Sequence, residues 1–104
     1  MAAAAVQVTI LGWHENYPPG IVECSLVDRF GRDWRIALKY YDATKEELGP
    51  DSQYPLSGLV SCQVLERGMD RDGGSIAKIE LDVPLENLSE KAVDQFEILT
   101  GQLI

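Results

Sequence analysis

GIVECSLVDRFGRDWRIALKYY, residues 20–41, reads as two β-strands joined by a tight turn. Val22, Cys24 and Leu26 alternate with Glu23 and Ser25, and Trp34, Ile36, Leu38 and Tyr40 alternate with Arg35, Ala37 and Lys39. A period of two marks a strand with one face in the core. Asp28-Arg29-Phe30-Gly31 carries Asp at the first and Gly at the fourth position of a type I turn. With Gly31 in the left-handed region, the connection is a three-residue loop with a G1 bulge. That register sets Val22 opposite Leu38, Cys24 opposite Ile36, Leu26 opposite Trp34 and Asp28 opposite Arg32. A two-residue loop at Phe30-Gly31 puts Leu26 opposite Arg35 and is rejected for that reason.

Outward from this hairpin, residues 6–13 (VQVTILGW) read as a strand with Val6, Val8 and Ile10 on one face. Gly12 marks a bulge or a close backbone approach. His14 to Gly20 is a loop, because Pro18-Pro19-Gly20 cannot continue a strand. Residues 42–58 are the longest irregular stretch, in which Thr44 and Glu47 form a capping box for one helical turn over 45–48. Residues 59–67 and 75–83 read as two more strands. A type I′ turn on Asp72-Gly73 pairs Val64 with Leu81 and Cys62 with Val83, but sets Glu66 against Ile79; a longer loop is the alternative. The tail reads two ways. Leu85, Leu88, Ala92, Phe96, Leu99 and Leu103 recur at helical spacing, with Asn87 and Glu90 as a capping box, while Phe96-Glu97-Ile98 alternates as a strand. The expectation is a short helix over 88–93 and an extended segment over 95–99. Five to six short antiparallel strands with one or two helical turns predict a mainly β fold, a small barrel or rolled sheet of the SH3-like or OB-like kind.

A chain of 104 residues is one domain, with 45% hydrophobic and 25% charged residues. Its formal net charge of −8 repels nucleic acid and anionic lipid and attracts basic partners. No apolar run is long enough to span a bilayer, and residues 1–5 lack the features of a signal peptide, so the expected location is cytoplasmic. Cys24 and Cys62 fall on core faces and read as buried thiols.

The pattern Gly20-Ile21-Val22-Glu23-Cys24, with Leu26, Asp28, Phe30-Gly31, Trp34 and Lys39, resembles a group of short bacterial β-rich proteins. Tyr54-Pro55, Gly58, Cys62, Pro84 and Phe96-Glu97-Ile98 fit the same pattern. No activity is attached to that group, so the resemblance implies no catalytic residues; it favours a final strand.

No catalytic, metal or cofactor site is expected. His14 is the one histidine, and with Cys24 and Cys62 completes no zinc ligand set. Cys24 lies inward beside Glu23, which disfavours a thiolate. Residues 70–75 lack the glycine and distant glutamate of a calcium loop, and Glu80 and Asp82 read as a solvated face. Two surfaces remain. Tyr17, Tyr41 and Tyr54 lie on loops beside acidic residues such as Glu46 and Glu47, which suits a site for a basic protein. One form of this reading is a non-enzymatic inhibitor or immunity-type protein. The alternative is a nucleic-acid-binding module using Arg29, Arg32, Arg35 and Lys39 beside Phe30, Trp34 and Tyr41. Against it stand the acidic field of the molecule and the neighbouring Asp28 and Asp33.

Overall fold

The computed structural model describes residues 2–15, 20–86 and 95–104. Its strands are β1 (Ala2–Glu15), β2 (Ile21–Val27), β3 (Asp33–Lys39), β4 (Leu56–Met69), β5 (Ser75–Leu81) and β6 (Gln95–Leu99). They form one antiparallel sheet in the order β3-β2-β1-β4-β5-β6. Two three-stranded meanders thus join along β1 and β4, and the sheet curls into a half-barrel. Two short 3₁₀ turns, Tyr40–Asp42 and Thr100–Gln102, complement the strands.

The inward faces follow the period-two pattern. Val6, Val8 and Ile10 of β1, Val22, Cys24 and Leu26 of β2, and Val60, Cys62 and Val64 of β4 are buried together with Ile79 of β5 and Ile98 of β6. The first hairpin adopts the expected register, with Val22 opposite Leu38, Cys24 opposite Ile36 and Leu26 opposite Trp34. Trp34 is half-buried, edge-on to Phe96 at 6.2 Å between ring centroids. Cys24 and Cys62 are free thiols in this core. Backbone bonds also reach the outer strands: Arg29 N–H donates to the Glu97 carbonyl of β6 and Glu86 N–H to the Ala37 carbonyl of β3, each 2.8 Å.

Several local expectations change. β1 begins at Ala2, because Ala2 to Ala5 pair with Val64 to Ser61 of β4; pairing overrides the weak strand preference of alanine. The shift between Ile10 and Gly12 makes Gly12 part of a bulge rather than a close approach, since its missing Cβ faces open space. The capped turn over 45–48 does not form. The helical turn lies earlier, at Tyr40–Asp42, and Thr44 Oγ1 accepts the Glu46 N–H at 3.1 Å in a local side-chain turn. Ala37, expected outward, is buried, and its carbonyl accepts the Glu86 N–H.

The β4–β5 connection takes the alternative expectation, a loop longer than two residues. Asp70 N–H donates to the Gly74 carbonyl and Gly73 N–H to the Asp70 carbonyl, with Gly73 at φ +85°, which makes a three-residue loop instead of a type I′ turn. Strand β5 stops at Leu81, which pairs with Cys62. The expected helix over 88–93 and the Asn87–Glu90 capping box lie outside the described residues. The expected extended segment over 95–99 is β6, paired with β5.

Candidate functional site

The outer face of β1, β2 and β4 carries an open groove of about 980 Å³. Its floor follows from strand alternation. With Val6, Val8 and Ile10 inward, Ala5, Gln7 and Thr9 must face out. The registers set Thr9 between Ser25 and Ser57, Gln7 opposite Leu59, and Ala5 opposite Ser61. The floor is therefore a row of hydroxyls followed by an amide and an apolar side chain.

Two walls rise from this floor. Along its first residues β4 has no strand on the side that β5 later takes, and two other segments occupy it. Leu59 N–H donates to the Ala43 carbonyl at 2.9 Å, and Asp82 N–H to the Ser61 carbonyl at 2.8 Å. The first contact depends on Gly58, where a Cβ would lie 2.7 Å from the Ala43 oxygen and 3.1 Å from Ile10. Residues 41–45 and Val83 thus form one wall. On the other side the chain returns after β6 to β1, with Leu103 bridged to Val6 and Ile104 bonded both ways to Ala5. Gln102 fixes this return, because its Nε2 donates to the Val27 carbonyl at 2.7 Å and its Oε1 accepts from Leu99 N–H at 2.9 Å.

Among the described residues, four exposed apolar side chains, Val27 (43% exposed), Tyr41 (52%), Leu59 (43%) and Ile104 (69%), line this groove, while Phe30, Met69 and Leu99 are exposed elsewhere. Tyr41 is held in place by a stack: its ring meets Tyr40 edge-on at 5.7 Å, and Tyr40 meets Trp13 at 5.9 Å. Asp42 lines the groove next to Tyr41 and is half-buried. Partial burial pushes its carboxyl up; Lys39 pulls it back and Glu86 adds to the rise.

The candidate residues from the sequence are only partly brought together. Tyr41 stands in the groove wall. Glu46 and Glu47 are exposed just beyond that wall. Tyr54 is not at the groove: it packs against the core and donates its hydroxyl to the Gly49 carbonyl at 2.9 Å. Tyr17 lies outside the described residues. Val27, Leu59 and Ile104 are absent from the sequence expectations for the site; Val27 and Leu59 nevertheless leave a signal. Leu26-Val27 and Leu59-Val60 are apolar doublets, and in a half-buried strand one member of each must face out.

The arginines of the β2–β3 hairpin have near neighbours. Arg29 is 3.5 Å from Glu97 and its guanidinium lies 4.1 Å from the centre of the Phe30 ring. Arg32 lies 3.6 Å above the Trp34 ring. Arg35 is 3.6 Å from Glu23 and 3.4 Å from Asp33. Lys39, at the end of β3, is half-buried. Burial, with Glu23 beside it, pushes the Cys24 thiol up to about 12, so it is protonated at neutral pH. Burial likewise raises Cys62. Among the described residues no group of three metal-ligating side chains comes together, and no helix is long and apolar enough to cross a membrane. Comparison with protein-family models, curated proteins and solved structures found no match.

Proposed function

We propose that this chain is a non-enzymatic protein-binding domain of the cytoplasm that receives a basic protein in its outer groove. The supporting observation is the gathering of Val27, Tyr41, Leu59 and Ile104 around one groove on a molecule of net charge −8. Exposed apolar residues scattered singly are ordinary; gathered around a groove with a polar rim, they suit docking. Tyr41 is the aromatic anchor, ordered by Tyr40 before any partner arrives. Asp42, Glu46 and Glu47 supply the negative rim that speeds encounter with a basic surface. The free buried thiols suit a reducing compartment. An inhibitor or immunity-type protein that covers a basic toxin or enzyme is one form of this function. An oligonucleotide on an OB-like surface of Arg29, Arg32, Arg35 and Lys39 draws less support, since three of these cations already have acidic or aromatic neighbours.

Selection of displayed random peptides on the purified protein tests this reading. The selected peptides are expected to combine Lys or Arg with apolar residues and to bind less well as salt rises. Tyr41→Ala is expected to speed their dissociation, and Glu46→Lys with Glu47→Lys to slow their association. Selected peptides without cationic residues, or indifferent to both changes, would refute the reading. A labelled oligonucleotide whose binding is lost in Arg35→Glu with Lys39→Glu would make the alternative the better one.

A further inference from the structure

This inference rests on the protein-binding reading and names what the groove takes. Asp42 stands in the groove wall between exposed Tyr41 and fully buried Ala43. Its carboxylate makes no hydrogen bond or ion pair among the described residues. Lys45 lines the same wall and forms no ion pair with it, and Lys39 influences it only from a distance. In this wall the carboxylate gives up part of its hydration and gains no protein donor among the described residues in return, which costs the folded chain. The raised carboxyl of Asp42 agrees with that cost. A ligand that brings its own N–H donors removes it. The neighbouring residue in the wall, Tyr41, presents a half-exposed aromatic ring, and Val27, Leu59 and Ile104 line the same groove. A second copy of this chain fits poorly, because each copy carries a net charge of −8.

We infer that the groove receives a lysine or arginine side chain of the partner, its cation on the Asp42 carboxylate, its methylene stem along the Tyr41 ring, and an adjacent apolar side chain against Leu59, Val27 and Ile104. A charged donor on a carboxylate makes the stronger class of hydrogen bond, and the stem of a long cationic side chain covers apolar surface.

The test is NMR titration of the isotope-labelled protein with acetyl-Leu-Arg-Leu amide, and with the same peptide carrying citrulline, which keeps the shape and removes the charge. The arginine peptide is expected to shift the amides of Tyr41, Asp42, Leu59 and Ile104 and to bind about tenfold more tightly than the citrulline peptide, the size of a charge-assisted hydrogen bond. Asp42→Asn is expected to bring the two peptides to the same weak affinity while leaving amides away from the groove unshifted. If both peptides shift the groove equally and Asp42→Asn alters neither, the Asp42 role is overturned and the groove reading stands. If neither peptide moves any groove amide, or if sedimentation shows the groove covered by a second copy, both fall.

Discussion

The two hairpins of this chain carry one turn design and put it to different use. In the β2–β3 loop, Asp28 N–H donates to the Arg32 carbonyl at 2.9 Å, Gly31 N–H donates to the Asp28 carbonyl at 3.1 Å, and Gly31 has φ +83°. In the β4–β5 loop the same bonds join Asp70, Gly73 and Gly74, at 2.9 Å and 3.2 Å, with Gly73 at φ +85°. The aspartates cap alike: Asp28 Oδ1 accepts from the amides of Phe30 and Arg32, and Asp70 Oδ1 from those of Asp72 and Gly74. They differ beyond the backbone. Asp28 Oδ2 also accepts the Trp34 indole N–H at 2.9 Å, and Arg29 N–H reaches the Glu97 carbonyl on β6. Ile76 stands where Trp34 stands in the first hairpin and brings no donor. A local code sets the turn; its tertiary partners set what the turn is worth.

The largest test of that contrast is at the paired strand positions. Trp34→Ala removes the indole bond, the Phe96 edge contact and the ring under Arg32, and is expected to cost roughly 3 kcal/mol. Ile76→Ala, at the matching half-buried position, is expected to cost only about 1 kcal/mol. Urea unfolding of the two variants decides it, and equal losses would break the contrast. Next come the caps. Asp28→Ala leaves two amides and an indole without an acceptor and is expected to cost about 2 kcal/mol, against about 1 kcal/mol for Asp70→Ala, where only the turn amides lose theirs.

Why one hairpin was legible and the other was not has a physical answer. In the first, the expected loop aligns apolar with apolar along the whole pair. In the second, Asp72-Gly73 mimics the two-residue hairpin signal, although Asp70 and Gly73 repeat the spacing of Asp28 and Gly31. The three-residue loop pairs Glu66 with Lys78, acid with base. Continued without a break, it would set Val64 against Glu80 and Cys62 against Asp82. A bulge between Val64 and Glu66 restores Val64 to Ile79 and Cys62 to Leu81. A bulge has no composition of its own, so alternation alone does not show where the phase slips. The groove follows the same divide. Tyr41 and Asp42 are visible as a loop aromatic beside an acid. Ile104 joins them only because the chain returns to β1 after β6, a long-range pairing that no local pattern encodes.

The glycines sharpen the comparison from the opposite side. Gly31 and Gly73 share a positive φ, and the missing Cβ of each faces open space. Alanine at either site meets only the backbone strain of the left-handed region, expected at about 1 kcal/mol. The losses for Gly31→Ala and Gly73→Ala are therefore expected to agree, unlike those of the side chains around them. A clearly larger loss at Gly31 would mean that the tertiary anchors of the first turn also stiffen its backbone, and that the two loops are not one design.

The smallest expected effect is in pH. Burial alone would raise the Asp28 carboxyl, but the Trp34 indole, the Arg32 and Phe30 amides and the Arg32 guanidinium together hold it below its ordinary value of 3.8. A carboxyl depressed in the folded state stabilises the fold above its unfolded value, and that contribution is lost as pH falls through the depressed one. The parent is therefore expected to lose stability as pH drops below about 3.8. Asp28→Asn should flatten that part of the curve, since an amide keeps an acceptor for the turn but does not titrate. Asp42 contributes with the opposite sign, because its carboxyl is raised: it favours the folded state at low pH and loses that contribution as pH rises through the raised value. Stability measured against pH in the parent, Asp28→Asn and Asp42→Asn separates the two. If Asp28→Asn follows the parent throughout, the indole and amide bonds do not hold the carboxylate in solution. The tertiary anchoring that distinguishes the first hairpin would then have to rest on the packing of Trp34 and the Arg29–Glu97 backbone bond.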